Sequence, residues 1–350
     1  MKLVLHTYDL KLKHKFKIAH DSRTVQKTLI VELNHGAHSG FGEATASNYY
    51  KVSIDVMISE LEANRKLIES YNFEKPEEFW KKLKVYIGNS FVLSALDVAI
   101  HDLYAKAKGK SLRELWGLSN HFFPTSNYTI GIDTIENMAA KLKEFPWPKY
   151  KIKLGTKEDI KIIRELRKLT DAVFRVDANC GWSVEETLEN ARMLKELNVE
   201  FIEQPLAAGN WEGMSILHKK SELPIFADES CINEQDINKC VGHFHGVNIK
   251  LMKCGGFTPA KRMIQNARNQ GMKVMVGCMT ESSVGISAVA QLLPMLDYVD
   301  MDGFLLLEND IAEGPKLINN KIVVPQGEGI GVNRLFTAAA NKLENVTTGS

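Results

Sequence analysis

From about residue 125 to residue 303 the chain repeats one unit eight times, and few architectures accommodate that. Each unit is a short apolar or β-branched run followed by a stretch of different periodicity. The runs centre on Ile130, Ile152, Phe174, Phe201, Ile225, Ile249, Val274 and Val299, roughly 25 residues apart. Between them lie stretches such as KEDIKIIRELRKLT, SVEETLENARMLKELN and TPAKRMIQNARNQG, where apolar residues recur every three or four positions. A strand followed by an amphipathic helix is a βαβ unit, which requires a parallel sheet. An open doubly wound sheet competes, but near-equal units favour closure, and no GxGxxG follows the first strand to support nucleotide binding. The pattern predicts an α/β fold of the (β/α)8 barrel type, with chemistry at the C-terminal ends of its strands.

The first ~115 residues read differently. LVLHTYDLKLKHKFKIAH and KTLIVELNHGAHSGFGEA alternate like antiparallel strands with Gly-rich turns, and helical segments follow at VSIDVMISELEANRKLIES and FVLSALDVAIHDLYAKAKGK. This predicts an α+β capping domain over residues 1–120, a barrel over 121–316, and a C-terminal segment, 317–350, that returns to complete the cap. A linker-like break lies at GLSNHFFPTS, and the polar tail NKLENVTTGS is expected to fray.

Composition removes several classes of function. A net charge of +1 over 350 residues gives no electrostatic reason to bind nucleic acid or an anionic membrane. No apolar stretch approaches the ~20 residues needed to span a bilayer, and the N-terminus lacks a signal peptide's apolar region. The five cysteines, Cys180, Cys231, Cys240, Cys254 and Cys278, are odd in number, scattered, and without a CxxC pair. A disulfide framework or zinc site is therefore not expected, and a reducing cytoplasm fits. Whether the chain forms a homo-oligomer is left open.

Three acids end three successive strands: Asp177 in FRVDAN, Glu203 in VEFIEQP and Asp228 in LPIFADES. Neighbouring parallel strands would bring them to one rim about a strand spacing (~4.8 Å) apart. Three converging carboxylates suit a hard cation such as Mg²⁺. On the second strand, period two sets Lys151 and Lys153 on one face, and Lys250 tips the sixth strand, four strands away and diametrically opposed. Lysines 153 and 250 would then face each other across the mouth, one able to take a proton from one face of a carbon and the other to return it on the opposite face. Burial and the adjacent charge of Lys151 would favour the neutral amine. A Mg²⁺ ion stabilising the deprotonated carbon acid would supply the missing acidity.

Asp300 and Asp302, in YVDMDG on the eighth strand, also share a face, well round from the three acids and without an evident protein partner. They would bind a substrate ammonium, or else cap a helix or bridge to a lysine. The first reading makes the substrate zwitterionic, an amino acid or small peptide. Cys278, ending strand seven, would line the mouth rather than act as a nucleophile. Arg23, in the polar loop HDSRTVQK, would either clamp a second carboxylate bidentately or face solvent.

Taken together, these residues resemble the enolase superfamily, whose sites use a lysine or histidine base with Mg²⁺. KIK at Lys151 to Lys153, then Asp177, Glu203, Asp228 and Lys250, match the muconate-lactonizing-enzyme subgroup in order and spacing, and FGEA and SALDVAIHDLYAKAKGKSLRELWG match its capping domain. NIKLMKCGG and Asp300-x-Asp302 are similar to dipeptide epimerases, in particular the L-Ala-D/L-Glu type. The resemblance implies Lys153 and Lys250 as the acid/base pair, Asp177, Glu203 and Asp228 as Mg²⁺ ligands, and Asp300 and Asp302 on the dipeptide ammonium. It further implies that Lys151 and Cys278 contact substrate and that Arg23 binds a glutamate side chain. The expected activity is inversion of the C-terminal residue of a dipeptide, such as those released from murein. Alternatives are epimerases of hydrophobic or other dipeptides, or an o-succinylbenzoate synthase or cycloisomerase of the same subgroup, whose amine-free substrates leave Asp300 and Asp302 unexplained. A barrel that only binds a ligand is disfavoured by five intact catalytic positions.

Overall fold

The computed structural model describes residues 1–18, 21–118, 123–318 and 321–335; part of the expected linker (119–122) and the expected frayed tail (341–350) lie outside them. Three antiparallel strands open the chain: β1 (Lys2–Ile18), β2 (Asp21–His35) and β3 (His38–Thr45). Strands β2 and β3 are joined by a tight turn with Gly36 at φ +58°, a conformation that costs glycine little. Helix Ser90–Ala107 packs on β3 and is buried on nearly every side, which explains its continuous apolar sequence. Close approach is possible because β3 presents Gly40 and Gly42 to this helix. A Cβ at Gly42 would meet the Ala95 carbonyl oxygen at 2.0 Å, and one at Gly40 the Ala99 oxygen at 2.2 Å.

The cap is fastened to the rest of the molecule through buried carboxylates. Asp97 accepts from Thr258 N at 2.8 Å and Thr258 Oγ1 at 2.7 Å, capping helix Phe257–Asn269, whose own N-cap, Gly256, has no side chain to do so. Glu43 accepts from the backbone and hydroxyl of Ser282 and from Gly285 N, at the start of helix Ser283–Gln291. From the C-terminal segment, Ile330 N donates to Asp102 Oδ1 at 2.8 Å, and Lys106 donates to the Val332 carbonyl at 2.5 Å. Residues near 330 thus lie against the cap helix.

Eight parallel strands follow in sequential order: β4 (Tyr128–Ile130), β5 (Lys149–Lys153), β6 (Val173–Asp177), β7 (Val199–Glu203), β8 (Ile225–Ala227), β9 (Gly246–Ile249), β10 (Lys273–Gly277) and β11 (Tyr298–Asp300). All eight centres read from the sequence fall within these strands. The architecture is a nearly closed, TIM-like barrel under an antiparallel cap. Two details depart from a regular eightfold repeat. After β11 the chain makes a 3₁₀ turn, Gly303–Leu306, instead of a helix. Strands β4 and β11 share no ladder; Thr129 N donates to Asp302 Oδ2 at 2.5 Å, Asn127 Nδ2 to Asp300 Oδ1 at 2.7 Å, and Met301 N to Ser126 Oγ at 3.0 Å across that seam. Their backbone groups diverge, so side chains finish the closure.

Period two also divides the barrel interior into layers. Arg175, Phe201, Phe226, Met275 and Tyr298 form a plug in which Phe201 stacks on Phe226 at 4.3 Å and the Arg175 guanidinium lies 5.0 Å from the Tyr298 ring. Two residues further along the same strands stand Asp177, Glu203, Asp228, Gly277 and Asp300. No helix among the described residues is long and apolar enough to cross a membrane.

Replacing Gly42 by alanine is expected to cost about 1–3 kcal/mol or more, because the clash is with helix backbone that cannot rotate away. Gly209, with nothing within 4 Å of its would-be Cβ, should tolerate alanine within about 0.5 kcal/mol. Denaturant unfolding of both variants checks the pair, and equal midpoints would refute the close-packing account.

Candidate active site

The polar layer lies at the C-terminal ends of the strands, beneath the cap, and lines a cavity of about 260 Å³. Carboxylate oxygens of Asp177, Glu203 and Asp228 come within 4.8 Å of one another, all three buried. Their neighbours hold them in place. Gln204, at φ +37°, turns its side chain so that Oε1 accepts from Asp228 N at 3.0 Å and Ser230 N at 3.1 Å, latching the end of β7 to the end of β8. Asn179, just beyond Asp177, also has positive φ, at 42°. Strained backbone next to two of the three acids is the kind held by its surroundings at functional sites.

Four lysines neutralise this layer. Lys153 Nζ donates to Asp177 Oδ2 at 2.7 Å, and Lys250 Nζ to Asp228 Oδ2 at 2.7 Å. Lys151, 2 % exposed, lies 3.1 Å from Asp177, 2.9 Å from Glu203 and 3.0 Å from Asp300. Lys253 donates to Asp228 Oδ1 and to the Asp228 carbonyl, both at 2.6 Å, and to the carbonyls of Cys231 and Asn248.

The charges follow from this wiring. Burial opposes the charge on Lys151, but Asp300, Glu203 and Asp177 outweigh it and raise its pKa well above the ordinary range. Lys250 is raised in the same manner, by Asp228 against burial. Burial would lift Asp228, yet Lys250 and Lys253 hold it well below the usual carboxylate range. Glu203 goes the other way: burial, then the charges of Asp177 and Asp228, push it up to about 7. Its Oε2 has the Lys151 ammonium at ion-pair distance but receives no hydrogen bond.

All ten residues singled out in the sequence are accounted for. Lys151, Lys153, Lys250, Asp228, Asp300, Asp302, Cys278 and Arg23 line the cavity, and Asp177 and Glu203 lie directly behind Lys151 and Lys153. One premise is overturned: Asp300 and Asp302 do have protein partners, Lys151 and Asn127 for the first and Thr129 for the second. Lys151 also joins them to the other acids, since its ammonium contacts both groups. Burial, then Asp300, raise Asp302 well above its ordinary value, whereas Lys151 outweighs burial and holds Asp300 at about 2. Cys278 lines the cavity, and burial with the charges of both aspartates pushes its thiol well above the ordinary value, which opposes a thiolate there. The Arg23 guanidinium is engaged by Asp21 and Gln26.

Sequence reading missed Lys253, Gln204 and Asn248, and also Tyr50 and Glu229, which line the cavity, Glu229 accepting from Asn179 Nδ2 at 3.2 Å. Asn248, whose Nδ2 donates to Glu203 Oε1 at 2.8 Å, stands two residues before Lys250 and was legible by the same period that marked Lys151. Lys253 lies on the turn after β9, where no periodicity signals its direction.

The oxygen set fits a hard divalent cation: three buried carboxylates, one oxygen lacking a hydrogen bond, and flanking ammonium groups that stand in for positive charge.

Comparison with known proteins agrees. Residues 133–334 match the family model "Enolase C-terminal domain-like", and residues 3–117 match "Mandelate racemase / muconate lactonizing enzyme, N-terminal domain". An L-Ala-D/L-amino acid epimerase of Flavobacterium johnsoniae is 56% identical over 96% of this chain and 100% of its own. An L-Ala-D/L-Glu epimerase of Bacteroides thetaiotaomicron is 36% identical over 96% of this chain and 88% of its own. The dipeptide epimerase of Cytophaga hutchinsonii, solved with Mg and D-Ala-L-Val, superimposes with a TM-score of 0.91 at 28% identity, covering 97% of this chain and 96% of that one.

Because Glu203 binds a proton up to about pH 7, a cation entering between the acids must displace it. Affinity for Mg²⁺ should therefore fall as pH drops below 7, approaching about tenfold per unit, and Glu203→Gln should lose most of it. Calorimetric titration near pH 6 and near pH 8 checks this; equal affinities would refute it.

Proposed function

This chain belongs to the mandelate racemase / muconate lactonizing enzyme family of the enolase superfamily, and we propose that it is a Mg²⁺-dependent dipeptide epimerase inverting the α-carbon of the C-terminal residue. The observation that carries the reading is the opposed pair of lysines, Lys153 on β5 and Lys250 beyond β9, each hydrogen-bonded to a carboxylate of one buried trio. The similarity to L-Ala-D/L-amino acid epimerases supports dipeptides as the substrate class.

Asp177, Glu203 and Asp228 hold the metal in this scheme. A Mg²⁺ there supplies positive charge that acidifies the α-proton of a bound carboxylate. The protein's own groups do the rest. The Lys250 ammonium keeps its proton because Asp228 faces it, while burial opposes that charge. Once Asp228 is neutralised by other means, burial prevails and favours the free amine, the form a base requires. On the other side, Lys153 Nζ donates to Asp177 Oδ2 at 2.7 Å. One amine removes the α-proton while the opposing ammonium delivers its proton to the other face, and reversal of roles runs the reaction backwards.

Asp300 and Asp302 anchor the dipeptide's ammonium. Burial and the charge of Asp300 push Asp302 well above its ordinary value, and an arriving ammonium would offset that repulsion. Each carboxylate retains lone pairs beyond those used by Asn127, Lys151 and Thr129. The plug of Phe201, Phe226 and Met275 closes the site from below, so these charges act in a medium of low polarity. A cytoplasmic location belongs to this reading; Cys180, Cys231, Cys240, Cys254 and Cys278 are all free thiols.

Lys153→Ala and Lys250→Ala should each reduce epimerisation of L-Ala dipeptides by roughly 10²–10⁴-fold. In D₂O, each variant should still exchange the α-proton of one substrate enantiomer only, opposite in the two variants. Mass spectrometry with chiral analysis reads both quantities, and either variant retaining full inversion would sink the two-base scheme.

A further inference from the structure

The cavity's cap-facing wall consists of Phe16, Ile18, Asp21 and Arg23 from β1 and β2, and the segment Thr45–Tyr50. Only two of these residues are charged, and they are paired with each other. The Arg23 guanidinium donates through one nitrogen to Asp21 and through another to Gln26 Oε1. Gln26 is 2 % exposed and cannot turn its amide round, because its Nε2 donates to the carbonyls of Lys27 and Ala46, both at 2.9 Å. The pair is itself sheltered, with side chains 23% and 17% exposed. Asp21 is fixed further by Ser22 N at 2.8 Å. The wall therefore carries no net charge, and its one cation is already engaged through two of its five N–H groups, one on each terminal nitrogen.

Resting on the dipeptide-epimerase reading, we propose that Asp21 is a specificity-determining residue. By engaging Arg23 it makes the subsite for the C-terminal side chain select uncharged groups over acidic ones. With the substrate ammonium at Asp300 and Asp302 and its carboxylate beside Asp177, Glu203 and Asp228, the side chain on the reacting carbon is directed toward the cap. There it meets Phe16, Ile18 and the paired Arg23. A glutamate side chain must compete with Asp21 for a guanidinium already held in place, and it meets like charge at that aspartate. An isosteric glutamine meets neither cost.

The test compares kcat/KM for L-Ala-L-Gln and L-Ala-L-Glu, a pair equal in shape and different in charge. The intact enzyme should prefer the glutamine dipeptide by at least about tenfold. Asp21→Asn, which frees Arg23 while retaining size, should shift that ratio toward glutamate by at least about tenfold. Adding Arg23→Gln to it should abolish the gain. A wild-type preference for L-Ala-L-Glu, or a ratio unmoved by Asp21→Asn, overturns the assignment of Asp21 while leaving the epimerase intact. Absence of turnover with either dipeptide and with L-Ala-L-Leu would instead overturn the reading on which it rests. Where Asp21→Asn fails to fold, a wild-type ratio that does not favour glutamine still overturns the proposal, and Arg23→Gln, which should leave glutamine preferred, keeps it testable.

Discussion

The ammonium of Lys151 is the contact on which this site depends. Asp177, Glu203 and Asp300 come from three different strands, and their carboxylates would repel one another in a buried layer. Lys151 lies within 3.1 Å of all three and is itself almost inaccessible. Removing it would leave several buried anions without a partner, a change that costs far more than the loss of a surface pair. Its charge is also spent in place: with three carboxylates around it, Lys151 is held protonated and is unsuited to moving protons. Lys153 and Lys250 each have a single carboxylate partner and line the open cavity, which suits them to exchange. The same residue type thus serves two purposes, divided by the number of anions each lysine meets.

The strength of these contacts derives from the layer beneath. Phe201, Phe226 and Met275 fill the barrel's lower interior, and Arg175, paired with Glu200 at 2.8 Å, lies among aromatic rings. Water is excluded from below, so each carboxylate responds strongly to its neighbours. The divergence between Asp228, far below the ordinary range, and Glu203, near 7, is the result. Asp228 has two lysines of its own, whereas Glu203 shares one with two other acids. Both are fully buried, and the neighbouring charges separate them: lysines dominate around Asp228, whereas Asp177 and Asp228 press on Glu203.

Much of this was legible in the sequence because it follows a period. Strands of a barrel repeat, their inward faces alternate, and so Lys151, Lys153, Asp177, Glu203 and Asp300 could be placed on one rim without coordinates. What periodicity does not carry is pairing between distant positions. Nothing local says that Thr129 and Asn127 meet Asp302 and Asp300 across the seam, that Gln204 bonds Asp228, or that Lys253 turns back beneath it. For this reason the sequence shows no evident protein partner for the aspartates of the eighth strand: Asn127 and Thr129 lie 173 residues away, while Lys151 at Asp300 meets the alternative of a bridge to a lysine. The engagement of Arg23 by Asp21 is a similar case: the two are close in sequence, yet only their shared strand brings the carboxylate to the guanidinium.

The distribution of duties constrains how such a site can change. Asp300 and Asp302 finish the barrel's closure as well as facing the cavity, so altering either disturbs the seam together with the site. Asp177, Glu203 and Asp228 are tied through Lys151, Lys253 and Gln204, and none can change without stranding a buried charge or donor. The cap wall is tied to the barrel at its edges, by Thr45 on Met252 Sδ and by Ile132 N on the Lys17 carbonyl, but not through Asp21 or Arg23. Asp21 and Arg23 answer to each other and to Gln26, and no barrel strand depends on them. The cap as a whole is anchored elsewhere, by Asp97 and Glu43 at the starts of two barrel helices. Its lining residues can therefore vary while its position is kept. Chemistry is confined to the element where substitution is most costly, and choice of side chain falls to the one where it is cheapest.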